Sequence, residues 1–82
     1  MLDQIKRMAA RGDVVVSVHA IERMRDRKVK GRDLFSAIAS ATNAAYQAER
    51  DNWKVTGGID ADGDDLTLIV AIKANLIIVT IF

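Results

Sequence analysis

The sequence predicts an α+β fold, with N-terminal helices packed on one face of a small antiparallel sheet. Three observations carry this reading. Apolar residues recur at helical spacing up to about Ala41. From Asn43 onward the spacing changes to the alternation of strands. An Asp- and Gly-rich turn, Asp60–Asp64, then divides the strand-forming half. Helices followed by consecutive strands form an α+β arrangement rather than an alternating α/β one. At 82 residues the chain is expected to be a single domain, residues 1–82, with one thin core.

Leu2, Ile5, Met8 and Ala9 predict a short amphipathic helix over residues 2–11, with Gly12 as its stop. Val14, Val15 and Val16 are β-branched and predict a short strand or extended entry. Ser17 is placed to cap a second helix running to about Lys28, with Ala20, Ile21 and Met24 on its buried side. Lys28–Gly31 is a connector. A third helix fits residues 32–42, with Leu34, Phe35, Ile38 and Ala41 facing inward.

Ala44–Ala48 is a weak strand, and Glu49–Asn52 a polar turn. Residues 53–59 alternate, with Trp53, Val55 and Ile59 on one side and Lys54 and Thr56 on the other. Gly57-Gly58 suits a bend, or a close approach to a helix. Leu66–Lys73 and Leu76–Phe82 are the last two strands, joined at Ala74-Asn75. Both carry apolar residues on both faces: Ile69 and Ala71 oppose Leu68 and Val70, and Ile77, Val79 and Ile81 oppose Leu76, Ile78 and Phe82. The second apolar face calls for a cover, so a homo-oligomer or another protein partner is expected.

Composition narrows the function. Half the residues are apolar and 28% charged, a soluble globular balance. There is no cysteine and one histidine, which excludes a disulfide framework and a thiolate or histidine-rich metal site. No metal or cofactor is expected. Asp60-x-Asp62-x-Asp64 resembles the start of a calcium loop, but Asp65 and Ala71 occupy the positions needing glycine and glutamate. A solvated turn is the better reading. No signal peptide or membrane span is read, and the cytoplasm is the expected location.

The net charge of +1 argues against a protein that coats nucleic acid by charge alone. The charges are nevertheless segregated. Residues 19–32 hold six Lys or Arg against Glu22 and Asp26, while four aspartates gather at residues 60–65. His19, Arg23 and Arg27 lie four apart and share one face of the second helix. Histidine exchanges protons near neutral pH, and the arginine fork fits a phosphate. The stripe therefore suits chemistry on an anionic backbone such as RNA, or else is a solvated helix face. Lys54, Thr56, Thr67 and Thr80 are strand positions able to meet a ligand on the sheet. Tyr46 and Trp53 are able to stack on a base or to anchor the sheet.

Ser17-x-His19-Ala20-x-x-Arg23-Met24-x-x-Arg27 is followed by the helix around Leu34–Ile38, then Tyr46, Lys54-Val55-x-Gly57, Asp62-Gly63 and Ile77-x-Val79-Thr80-Ile81-Phe82. This order over residues 14–82 resembles the domain-of-unknown-function family numbered 4258. That family is thought to be related to the RelE-like toxins and the barnase–EndoU–colicin class of ribonucleases. The resemblance implies helices on one face of the sheet and RNA on the other. It further implies metal-independent RNA cleavage and a cognate antitoxin as partner. His19 and Arg23 would be the catalytic pair, with Arg27, Lys54, Tyr46 and Thr80 contacting the substrate. The competing expectation is a non-catalytic protein-binding module or inhibitor that associates through its apolar sheet.

Overall fold

A computed structural model describes all residues, 1–82, and has the α+β architecture. The elements in order are α1 (Leu2–Ala10), β1 (Val14–Val16), α2 (Val18–Asp26), α3 (Gly31–Ser40), β2 (Asn43–Gln47), β3 (Asn52–Thr56), β4 (Leu68–Ile72) and β5 (Leu76–Ile81). The sheet order is β1-β5-β4-β3-β2. Strands β2 to β5 form the expected antiparallel meander, and β1 adds a parallel edge beside β5. Parallel pairing needs a long crossover, and here α2, α3 and three strands separate β1 from β5.

Local chemistry sets the helix boundaries. Gly12 follows the α1 C-cap at φ +77°, a left-handed value that glycine adopts without strain. Ser17 caps α2: its Oγ accepts the Ala20 N–H at 3.0 Å. Lys28 ends α2 at φ +57°, and the N–H groups of Lys28 and Val29 donate to the carbonyls of Arg25 and Met24. This Schellman closure satisfies two helix carbonyls. At the start of α3, Asp33 accepts the Lys30 N–H at 2.9 Å and the Ala61 N–H at 3.0 Å, tying the acidic loop to the helix.

All three helices pack on one sheet face. Ile5 of α1, Ala20 of α2, and Leu34 and Ile38 of α3 meet Val55, Leu68, Val70, Leu76, Ile78 and Ile81 in one core cluster. Two inward assignments differ from expectation. Ile21 and Phe35 are 44% and 41% exposed, because Ala20 with Met24, and Leu34 with Ala37 and Ile38, already fill those faces. The strand after Val55 stops at Thr56, so Ile59 lies outside the sheet, its N–H donating to Ser40 Oγ at 2.9 Å. Gly58 lies against α3, where a Cβ would collide with the Ala37 carbonyl, so the close-approach reading of this glycine holds.

The assignment of faces in β5 also differs. Ile69 pairs with Thr80, but Val70 pairs with Ile78, so Val79 is the extra residue of a bulge. One inserted residue reverses the faces beyond it. Ile81 is therefore sealed in the core at 0% exposure, while Phe82 turns to the open side at 50%. Ile69 is itself only 7% exposed. The apolar part of the open face thus contracts to Val15, Ala71 and Ile77, next to β1. No helix is long and apolar enough to cross a membrane.

Candidate functional site

The open face becomes polar toward β2 and β3. The cross-strand row Lys54–Ile69–Thr80 faces away from the helices, because the neighbouring rows, Val55–Leu68–Ile81 and Trp53–Val70–Ile78, face the core. Asn52 lies two residues from Lys54 and shares its face. A groove of about 270 Å³ runs here, lined by Lys54, Thr80, Asn52, Arg50 and Phe82 over a floor of Ile69 and Val79. Gln47 and Glu49 complete its wall. Two neighbouring cations, Lys54 and Arg50, outweigh the carboxylate of Glu49. Asn52 is 7% exposed, and its Oδ1 is buried without a hydrogen-bond donor. A buried acceptor left unpaired costs roughly 1–3 kcal/mol.

The bulge joins this groove to α2. Ser17 Oγ donates to the Val79 carbonyl at 2.8 Å, and the Ser17 N–H donates to the Ile78 carbonyl at 3.0 Å. Arg23, one and a half turns along α2, donates from Nη2 to the Ile81 carbonyl at 3.3 Å. Its guanidinium lies 5.9 Å from the centre of the Phe82 ring, within cation–π range. Arg23 Nε is buried without an acceptor. The β5 bulge is thus held at both ends by the helix that carries His19.

The sequence-derived candidates divide into three groups. Lys54 and Thr80 meet in the groove, and Arg23 reaches its Phe82 end. His19 is exposed on the first turn of α2, and Arg27 is exposed at its C-cap. No hydrogen bond or ion pair joins either to Arg23. Tyr46 lies on the helix side of the sheet, opposite Trp53 in register and with ring centroids 5.0 Å apart. Its hydroxyl donates to Asp51 at 2.7 Å. That bond raises the Tyr46 pKa above the usual phenol value and, with Lys73 nearby, lowers that of Asp51. Trp53 packs against the core.

Arg50, Asn52 and Phe82 were not among the candidates read from sequence. The period-two spacing of Asn52 and Lys54 was an available signal. Phe82 reaches the open face only through the bulge, which has no sequence mark here. The acidic loop lies elsewhere. Asp60 Oδ1 accepts the N–H groups of Asp62 and Asp64, each at 2.9 Å, which folds the loop into a tight Asx-type turn. Carboxylate oxygens of Asp33, Asp60 and Asp62 lie within 4.8 Å of one another. Hydrogen bonds from Lys30 and Ala61 hold the Asp33 pKa below the usual carboxylate value despite its burial.

No curated protein and no solved structure matches the chain. The profile of one family does match, over residues 16–82, a span that takes in the Ser17 cap, all of α2 and α3, and the whole meander with its groove. The chain therefore belongs to the family described as Domain of unknown function (DUF4258).

Proposed function

We propose that this protein is a toxin-like, metal-independent ribonuclease of RelE-like type, acting on cytoplasmic RNA within a toxin–antitoxin or mobile-element system. The observation that carries the reading is the groove on the open sheet face. There Lys54, Arg50 and Thr80 line an apolar floor, and Arg23, from the helix that also bears His19, reaches the Phe82 end. Lys54 and Arg50 supply the charge that holds a phosphodiester. Phe82, half exposed, offers a ring on which a base stacks. Asn52 and Thr80 add polar contacts at the groove wall.

In this reading a base removes the proton of an RNA 2′-hydroxyl, and the 2′-oxygen attacks the adjacent phosphorus. The bond to the 5′-oxygen breaks, and an acid returns a proton to that leaving oxygen. His19 is assigned the acid or base step, being the side chain whose ordinary pKa lies nearest neutrality. Arg23 stabilises the charge that develops on the phosphorane, using donors other than the one given to Ile81. Arg27 is a peripheral phosphate contact. Tyr46 is assigned to holding the β2–β3 turn.

The test is purified protein incubated with mixed RNA in excess chelator. Cleavage by the parent chain is expected, with a loss of about 10²–10⁴-fold on His19→Ala and a clear loss on Arg23→Ala. Intact RNA with the parent chain, or equal cleavage by His19→Ala, rejects the enzyme reading in favour of a binding module.

A further inference from the structure

A second surface lies apart from the groove and shares no lining residue with it. Strand β1 is an open edge. In its parallel ladder, Leu76 donates to the Asp13 carbonyl and Ser17 to the Ile78 carbonyl, so residues 13, 15 and 17 face β5. The alternation leaves the N–H and C=O groups of Val14 and Val16 pointing outward. Neither proline nor lysine guards this edge, although such devices commonly block unwanted pairing. Alongside it, Val16, Ile21, Met24 and Val29 line an apolar cleft of about 360 Å³. Val18, the first residue of α2, adds apolar surface at 74% exposure, while Val15, at 47%, projects from the same strand on the opposite, open face of the sheet.

The rim of this cleft is cationic. Arg25 and Lys30 border it directly, and Arg27, Lys28 and Arg32 are exposed on the same helix end and connector, outnumbering the exposed Glu22 and Asp26 of that helix. The chain's two ion pairs, Arg11–Asp13 and Lys73–Asp51, use none of these groups. Charge decides which occupant fits. A two-fold pairing of β1 with a second copy would set identical surfaces face to face. The two rims of like charge would then repel across the seam.

We propose that the β1 edge and its cleft form a docking site for an extended acidic segment of another protein. The segment adds a strand beside Val14 and Val16. Its alternate aliphatic side chains enter the cleft, and its carboxylates meet Arg25 and Lys30.

The probe is a short blocked peptide alternating leucine with glutamate, titrated into the whole chain by fluorescence anisotropy and NMR. Binding is expected to weaken with salt and to protect the Val14 and Val16 amides from hydrogen exchange. Ile21→Glu and Arg25→Glu alter exposed side chains and leave the core intact. Each is expected to weaken binding about tenfold or more, a difference of roughly 1.4 kcal/mol. Replacing the peptide's central residue by proline should abolish binding. No binding of the glutamate peptide, equal binding of a leucine–lysine peptide, or indifference to both variants overturns the proposal. So does protection of Val14 and Val16 that grows with protein concentration alone, which would assign the edge to a second copy.

Discussion

Ser17→Ala tests the joint between the histidine-bearing helix and the groove. The hydroxyl is used twice: it accepts the Ala20 N–H at 3.0 Å and donates to the Val79 carbonyl at 2.8 Å. Losing the N-cap costs roughly 0.5–2 kcal/mol. Losing the bond to the bulge carbonyl costs about a further 0.5–1.5 kcal/mol. A combined effect of about 2 kcal/mol corresponds to a fall in melting temperature of roughly 8–16 °C for a domain of this size. Circular dichroism melts of three variants resolve the two contributions. Ser17→Thr keeps both bonds and should stay close to the parent. Ser17→Asp keeps the cap but loses the donor, and should fall between the parent and Ser17→Ala. A Ser17→Ala melt within about 2 °C of the parent would refute the reasoning, since it would mean under roughly 0.5 kcal/mol for both bonds together.

Gly58→Ala should destabilise by about 1–3 kcal/mol, because a Cβ there meets the Ala37 carbonyl on a packed helix; denaturant unfolding checks this. The bulge predicts that Ile81→Ala costs about 2–5 kcal/mol, and that Val79→Ala, at a partly exposed position, costs distinctly less in the same measurement. The pH profile of melting should fall at both ends. Asp33 and Asp51 have lowered folded pKa values, so their contribution is present above the ordinary carboxylate value and is lost as pH falls through the folded values. Tyr46 has a raised folded pKa, so its contribution is present below the ordinary phenol value and is lost as pH rises through the folded one. Asp33→Asn should flatten the acid limb and Tyr46→Phe the alkaline limb.

Much of the fold is legible in the residues because the apolar period changes once, near Asn43, and each helix carries its own boundary chemistry. Ser17, Gly12 and the Asp60–Asp64 turn all act locally, so their roles can be read without tertiary context. The parallel pairing of β1 could not be read this way, since a three-valine strand carries no sign of its partner. The bulge at Val79 is also hidden: alternation in Leu76–Phe82 continues unbroken in sequence, yet one extra residue exchanges the faces of Ile81 and Phe82. That exchange shrinks the apolar face expected to need a cover. It also brings Phe82 under Arg23 and into the groove. Ile21 and Phe35 fit their helical periods but lie at the margins of stripes that smaller residues already fill. Of the site, Lys54 was legible from alternation, whereas Thr80, like Phe82, reaches the open face only through the bulge. Tyr46 is separated from them by a register parity that only the paired strands define.

The central claim is that the Lys54–Thr80 groove holds RNA. A 2′-O-methyl oligonucleotide, which lacks the attacking hydroxyl, allows the bound state to be mapped by NMR chemical-shift changes. The account predicts perturbations at Lys54, Arg50, Asn52, Thr80 and Phe82, and little change at Tyr46 and Asp51 on the other side of the sheet. Lys54→Glu with Arg50→Glu should abolish the perturbations without lowering the melting temperature, since both side chains are exposed. No perturbation by the oligonucleotide, or changes confined to β1 and the cleft beside α2, would contradict the claim.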